Sequence, residues 1–473
     1  MVKNYDLVIL GGGIGGYTSA IRAKQLGLTV ALVEADKLGG TCLHKGCIPS
    51  KVFLKSASVY QTISKSDDFG IESGDVGIHL GAIQNRKNQV INTLYEGVKH
   101  LMKKHKIDIF DGFGRLLGPS IFSPVAGAVS VEFDDERENE VLVGENVIIA
   151  SGSKPKSLSN LPFDHKFVLS SDDMFYLDQL PFSIVIVGGG VIGIEWASML
   201  ADFDVQVTVV EAASSILPEF DHDLSNELRN RLQKKGITIY EETKVRNYKQ
   251  TNQTLSVEIE NNAETINLEA ERLLVSVGRE ANIEQIGLEN TSIQLTESNT
   301  IKVNENYQTK ESHIYAIGDC IGGAQLAHVA GNEGKIAVGH LANQLENELY
   351  SKLVVGCVYS SPEVAMVGLT ENEAKQQGLD IIVKKCPFSA IGKAHINGDY
   401  SGFIKLIVDR QSKDVIGVHM IGSTVTELIS EAGLSMILNA EASEIASLAH
   451  PHPSLSEAFQ EASLSIDDQM IHG

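Results

Sequence analysis

The chain has 473 residues, is 43% hydrophobic with 43 glycines, and carries a formal charge of -22 from 39 Lys and Arg against 61 Asp and Glu. That length predicts several domains with sizeable cores, and the composition excludes disorder. The acidic excess argues against nucleic acid or an anionic membrane as partner. No stretch of about 20 apolar residues occurs, and the first residues run into Leu7-Val8-Ile9-Leu10 without a secretory pattern, so a cytoplasmic location is expected.

From Tyr5 a buried-type strand leads into Gly11-Gly12-Gly13-Ile14-Gly15-Gly16 and an amphipathic segment through Leu26. The next strand, Thr29-Val30-Ala31-Leu32-Val33, ends in Glu34. Strand, glycine turn, helix, strand and acid in this order suit a dinucleotide: the glycines admit the pyrophosphate, the helix start offers free N–H groups, and the acid takes ribose hydroxyls.

Two thiols follow in Gly39-Gly40-Thr41-Cys42-Leu43-His44-Lys45-Gly46-Cys47-Ile48-Pro49-Ser50-Lys51. Ile48-Pro49 reads as a helix opening, which puts Cys47 where a helix N-terminus lowers a thiol pKa, and the glycines allow the sulfurs to meet. Five cysteines (42, 47, 320, 357 and 386) are too few for a disulfide framework, so a close pair in a reducing compartment reads as catalytic. Two alternatives stay open on these residues alone: a metal site of Cys42, His44 and Cys47, and a structural staple.

Residues 52 to 105 predict two helices with Val59, Ile63, Val90, Leu94 and Val98 as a core stripe. Short strands and turns then lead to Val147-Ile148-Ile149-Ala150-Ser151-Gly152-Ser153-Lys154-Pro155, where a domain boundary is expected. At Ile184-Val185-Ile186-Val187 the first pattern recurs, with Gly188-Gly189-Gly190-Val191-Ile192-Gly193 and a strand Val207-Thr208-Val209-Val210 ending in Glu211. The spacing from Gly16 to Glu34 equals that from Gly193 to Glu211, and Leu273-Leu274-Val275-Ser276-Val277-Gly278-Arg279 echoes the strand at Ile148. Two nucleotide units imply two nucleotides. A carboxylate at 211, with no arginine in Ala212-Ala213-Ser214-Ser215, favours NAD over NADP.

Asp319, in Ala316-Ile317-Gly318-Asp319-Cys320, either binds a cofactor hydroxyl or caps the helix expected from about residue 330 to 345. Beyond residue 350 the pattern is that of an α+β domain. Near the end, His450-Pro451-His452-Pro453-Ser454-Leu455-Ser456-Glu457 offers an imidazole with a carboxylate to orient it, although Ser454 and Glu457 also fit a helix capping box.

Taken together, the cysteine segment, both glycine motifs, the Asp319 segment and the His452 to Glu457 segment resemble, in order and over essentially the whole chain, the pyridine nucleotide-disulfide oxidoreductases and among them the dihydrolipoamide dehydrogenases. The resemblance implies an α/β fold of two Rossmann-like domains, for FAD and NAD, plus a C-terminal α+β dimerisation domain. The corresponding boundaries are 1–152 and 275–348 for the FAD-binding parts, 153–274 for NAD and 349–473 for dimerisation. It implies FAD at Gly11, Gly13, Gly16, Glu34, Thr41, Lys51, Gly114, Asp319 and Ala327, and NAD at Gly188, Gly190, Gly193, Glu211 and Gly278. Lys51 and Glu195 would pair near the flavin, Cys42 would face substrate and Cys47 the flavin. No metal is called for.

The implied reaction is oxidation of protein-bound dihydrolipoamide to lipoamide with reduction of NAD+. His452, oriented by Glu457, would serve the partner subunit's disulfide in a homodimer, and the lipoyl domain of a 2-oxoacid dehydrogenase acyltransferase would bring the substrate. The family loop usually has Asn-Val where this chain has His44-Lys45, as in variants associated with branched-chain 2-oxoacid complexes; this substitution is expected to add positive charge beside the thiols. Other readings are a sister disulfide reductase, or a redox-sensing or structural flavoprotein. Glutathione-type enzymes would prefer NADP, which Glu211 disfavours, and a mercuric reductase would carry a terminal cysteine pair that Ser463 to Gly473 lacks.

Overall fold

The computed structural model describes residues 2–119, 126–251, 253–261, 264–344 and 353–473. The chain forms two compact units, one of Met1–Val52, Gly81–Lys156 and Arg279–Ser351, the other of Phe53–Leu80, Ser157–Gly278 and Lys352–Gly473. The expected boundary at 348/349 lies outside the described residues.

The first unit is built on strands β1 (Val2–Leu10), β2 (Val30–Glu34), β3 (Asp108–Asp111), β4 (Phe113–Leu116), β5 (Val129–Glu132) and β6 (Glu140–Ile149), in the sheet order β3-β2-β1-β6-β5-β4, with strand Ile314–Ala316 also on β6. Strands β3, β2, β1, β6 and Ile314–Ala316 run parallel, whereas β4 and β5 are antiparallel additions. Period-two alternation makes the sheet two-faced. Val8, Leu10, Ala31, Val33, Val147 and Ile149 enter one core, while Leu7, Ile9, Val30, Leu32 and Ile148 enter the other.

Helix α1 (Ile14–Gln25) lies against helix Ala327–Leu341, and small residues set the approach. A Cβ on Gly334 would overlap the Ser19 hydroxyl and stand 3.0 Å from the Gly15 carbonyl, so a larger residue there would require α1 or the Ser19 side chain to shift. The helix starts earlier than expected, at Ala327, and its described part ends at Leu341 rather than near 345.

Helices α2 (Gly40–His44), α3 (Cys47–Ser64) and α4 (Leu80–Lys104) follow β2. Pro49 is the third residue of α3 rather than the first, a position still within the turn whose N–H groups have no intrahelical acceptor. The expected apolar stripe holds at Val98, which packs against the core, and fails at Val59, Ile63 and Leu94, which are 44%, 37% and 43% exposed; the buried positions include Phe53, Ala57, Ile91 and Met102.

In the second unit, strand Ser183–Val187 leads into α5 (Val191–Asp202) and strand Gln206–Val210 into α6 (His222–Lys234). These strands join a five-stranded parallel sheet that also contains Thr238–Tyr240, Arg272–Val275 and Val168–Leu169. A three-stranded antiparallel meander inserts between Thr243 and Ala270. The C-terminal segment forms a separate five-stranded antiparallel sheet, in the order Gly356–Val358, Glu363–Gly368, Val415–Gly422, Phe403–Asp409 and Ile381–Pro387. Its core packs beneath helices Val425–Ile437 and Glu457–Leu464.

A buried cation ties the two parts of this unit together. Lys405, 2% exposed at its side chain, reaches Asp221 at 2.8 Å, Asp223 at 2.6 Å and Glu371 at 2.8 Å. Burial opposes ionisation of Asp221 and Asp223, but Lys405 outweighs it and both carboxyls lie below their ordinary range; Lys375 and then Lys405 do the same for Glu371. Their stabilisation is present above the unfolded carboxylate pKa and is lost as pH falls through the lowered folded values. Lys405→Met leaves the buried Asp221 without its cation, while Asp223 and Glu371 keep Lys385 and Lys375, and is expected to cost about 3–5 kcal/mol near neutrality. Urea unfolding should show that loss shrinking as the pH falls below about 4; an equal loss at all pH would refute the ionic origin.

Candidate active site

The redox loop is shaped by two short helical stops. Lys45 N–H closes α2 on the Thr41 carbonyl at 2.8 Å, and Ser50 N–H opens the α3 ladder on the Gly46 carbonyl at 3.0 Å. Cys42 therefore sits in α2 and Cys47 is the first residue of α3, both half-buried. Their thiols are hydrogen-bonded to each other. That bond first, then burial, then the charge a Cys47 thiolate would carry push the Cys42 thiol above the usual range, while the Lys51 cation opposes them. The bond and the burial together favour the protonated form of the Cys42 thiol.

The loop's variable residues face elsewhere, which corrects the expectation of charge placed on the thiols. Lys45 Nζ pairs with Asp36 Oδ2 at 2.8 Å, and the His44 ring donates from Nε2 to the Leu38 carbonyl at 2.8 Å while packing edge-on to Tyr95. The cation that bears on Cys42 is Lys51. Among the described residues no group of three or more His, Cys, Asp or Glu side chains is placed to hold a metal ion.

Both glycine turns show one geometry. Gly11 has φ +105° and Gly188 φ +106°, and a Cβ on either would overlap a strand-end carbonyl, Ala150 in one unit and Ser276 in the other. A Cβ on Gly16 would overlap the Gly11 carbonyl, and one on Gly193 the Gly188 carbonyl. Glu34 accepts Gly12 N–H at 2.6 Å and Asp36 N–H at 2.7 Å; Glu211 accepts Gly189 N–H at 2.5 Å and Ala213 N–H at 2.6 Å. Burial pushes Glu34 up despite those donors. The N-caps of α1 and α5 are Gly13 and Gly190, and neither helix start has a side-chain cap. Backbone turn, acid at the strand end and uncapped helix N-terminus together fit a dinucleotide pyrophosphate and ribose in each unit.

The remaining expected residues divide between the units. Asp319 is the second residue of a short 3-10 turn in the first unit and accepts a hydrogen bond from Ser153, whose hydroxyl and carbonyl are held by Arg279 at 2.7 and 2.9 Å. Neither Ser153 nor Arg279 stood out in the sequence; their only signal was that both follow the repeated strand ends. Ala327 begins its helix, Thr41 lies in α2, and Gly114 lies in β4, where a Cβ would stand 2.5 Å from Leu10. Lys51 lies in the first unit. Glu195, in α5 of the second, is buried and accepts Tyr359 N–H at 3.0 Å. Gly278, φ +103°, follows the strand Arg272–Val275.

His452 donates from Nδ1 to Glu457 Oε1 at 2.8 Å, while Glu457 Oε2 accepts Ser454 N–H at 2.8 Å. One carboxylate thus reaches the backbone ahead of the helix and orients the ring, but the Ser454 hydroxyl meets that of Ser456 and the helix start at Glu457 has no side-chain cap, so the expected capping box is not formed. Burial resists ionisation of Glu457, but the Ser454 N–H and the His452 ring hold it below the ordinary carboxylate range. The ring is 80% exposed. Its other nitrogen, Nε2, is then the one left to exchange a proton with a ligand. Neighbouring His450 is instead turned inward onto Glu431 at 2.9 Å.

Gly16→Ala is expected to abolish retention of FAD, read as visible flavin absorbance after gel filtration. Gly193→Ala should keep the flavin and weaken NAD+ by about tenfold or more, roughly 1.4 kcal/mol. The reverse pattern would exchange the two assignments.

The pyridine nucleotide-disulphide oxidoreductase family matches residues 5–334, and its dimerisation domain matches residues 354–463. A dihydrolipoyl dehydrogenase of Bacillus subtilis is 55% identical, with all of both chains covered. A mitochondrial dihydrolipoyl dehydrogenase of Pisum sativum is 36% identical over 99% of this chain and 92% of its own. Leghemoglobin reductase of Glycine max is 36% identical over 98% and 88%. Among solved structures, LpdA from Mycobacterium tuberculosis has a TM-score of 0.89 at 25% identity, covering 97% of this chain and 99% of that one. The HOCl-induced flavoprotein disulfide reductase RclA from Escherichia coli has a TM-score of 0.84 at 27% identity, covering 97% and 99%. The chain belongs to the pyridine nucleotide-disulphide oxidoreductases.

Proposed function

We propose that the protein is an NAD-dependent dihydrolipoyl dehydrogenase that oxidises the dihydrolipoyl group of a 2-oxoacid dehydrogenase acyltransferase. The observation that carries this reading is the contact of the Cys42 and Cys47 thiols at the start of α3. The full-length likeness to dihydrolipoyl dehydrogenases supports the substrate. The dimerisation domain makes the working unit a homodimer, and His452 acts on the redox pair of the partner subunit. The proposed location is the cytoplasm, where a reducing milieu keeps Cys320, Cys357 and Cys386 as thiols.

In the oxidised enzyme Cys42 and Cys47 share a disulfide. His452 Nε2 takes a proton from one substrate thiol, its imidazolium supported by Glu457. The thiolate attacks Cys42 Sγ, breaking the Cys42–Cys47 bond and releasing Cys47 as thiolate, and a mixed disulfide joins substrate to Cys42. The second substrate thiol then attacks the mixed disulfide, closing lipoamide and releasing Cys42, which takes up a proton. Two electrons and two protons have left the substrate, and both cysteines are reduced. The elevated pKa of Cys42 suits this last protonation, although the Lys51 cation works against it.

The first unit would hold FAD through the Gly11 turn, Gly13, Gly16, Glu34, Thr41, Gly114, Asp319 and Ala327, and the second unit would hold NAD through Gly188, Gly190, Gly193, Glu211 and Gly278. FAD, when bound, supplies the two-electron relay from the dithiol to NAD+. Glu211, with both oxygens fixed on backbone N–H groups, favours ribose hydroxyls over a 2′-phosphate.

Anaerobic titration with dihydrolipoamide should give long-wavelength thiolate-to-flavin absorbance and NAD+-dependent turnover. Absence of both, with reduction of glutathione disulfide instead, would overturn the substrate assignment. Cys47→Ser should retain FAD but lose that absorbance, and unchanged absorbance would reverse the order of the sulfurs. His452→Gln should lower turnover by about 10²–10⁴-fold.

A further inference from the structure

The segment between Glu34 and Gly46 is fastened to the first glycine turn from within. Gly39 N–H donates to the Gly12 carbonyl at 2.8 Å, and Gly40 lies so close to Gly13 that a Cβ on it would stand 2.8 Å from the Gly13 Cα. The end of α2 closes the same segment from outside. His44 Nε2 donates to the Leu38 carbonyl at 2.8 Å, and Lys45 Nζ pairs with Asp36 Oδ2 at 2.8 Å, a contact that holds the Asp36 carboxyl below its ordinary range. Tyr95 of α4 backs the His44 ring, with 5.4 Å between ring centroids.

The second unit repeats the inner fastening and replaces the outer one. Leu217 N–H donates to the Gly189 carbonyl at 2.9 Å, as Gly39 does to Gly12. That turn is then held by residues that follow strand Thr238–Tyr240: Glu242 N–H donates to the Ala213 carbonyl at 2.8 Å, and Glu241 Oε1 accepts Ile216 N–H at 2.9 Å. In the first unit the fastening side chains come instead from the end of the helix that carries Cys42.

We propose that His44 and Lys45 are positioning residues that keep the first nucleotide turn closed on its dinucleotide, so that α2 must part from residues 36–38 before FAD leaves. The inference rests on the reading that the first unit holds FAD. One staple thereby serves two ends: it keeps the turn after Glu34 against the glycines, and it fixes the helix of Cys42 to the nucleotide cradle. Its two contacts are unequal. Lys45 and Asp36 are 43% and 60% exposed at their side chains, so water and salt screen them, whereas the His44 bond is partly buried and its ring is packed.

The test is the rate at which the FAD-loaded protein loses flavin, read as protein-bound flavin absorbance after timed incubation and gel filtration. His44→Phe keeps a ring against Tyr95 and removes the donor, and should speed the loss about fivefold. Lys45→Met should speed it about twofold, and roughly 1 M salt should erase its difference from wild type while leaving that of His44→Phe. Asp36→Lys should also speed the loss, and adding Lys45→Asp to it should bring the rate back toward wild type. Lys3→Met breaks the Lys3–Glu140 pair elsewhere in the same unit and should leave the rate unchanged. Wild-type rates in both His44→Phe and Lys45→Met, or equal acceleration by Lys3→Met, would overturn the proposal. Failure of the wild-type protein to retain flavin, or full retention by Gly16→Ala, would instead overturn the FAD reading beneath it.

Discussion

The hydrogen bond between Cys42 and Cys47 places two sulfurs where a disulfide can open and close, and that demand organises much else in the chain. A dithiol that receives electrons must pass them on, and one that receives protons must exchange them. In the proposed mechanism, two acid-closed glycine turns answer the first need and the His452–Glu457 pair the second. Asymmetry within the sulfur pair follows from position alone. Cys42 belongs to a five-residue helix that stops at Lys45, whereas Cys47 stands at the N-terminus of an 18-residue helix, where a thiolate is favoured.

Electrostatics in this acidic chain works by local pairing. Lys405 satisfies three carboxylates from α6, its N-terminal flank and a distant helix, so one cation fixes the nucleotide-binding part of the second unit to the C-terminal sheet. Lys45 does something similar at the surface, joining the redox loop to the turn that follows Glu34. Exposure separates the two cases: water screens the second pair, and the first has no such escape.

Backbone-determined features were the ones legible in the sequence. Glycines at 11, 16, 188 and 193 are demanded by carbonyls that leave no room for a Cβ, and the acids at 34 and 211 sit at a fixed distance along the chain from the turns they close. Alternation along β1 and β2 likewise reports two buried faces directly. Side-chain partners chosen across long stretches of chain were not legible. Nothing local to His44-Lys45 says that one ring meets Leu38 and the other group Asp36 rather than the thiols. Nothing local to α3 and α4 says that Val59, Ile63 and Leu94 face water, because periodicity names a face without naming its neighbours. Ser153 and Arg279 gather around Asp319 only when strands from separate parts of the chain meet.

The glutamates that close the two glycine turns have each oxygen engaged by a backbone N–H of the same chain. The order of the turn is therefore a property of the fold. A nucleotide docking there meets preorganised backbone, and the conformational entropy of shaping the loop belongs to folding rather than to association.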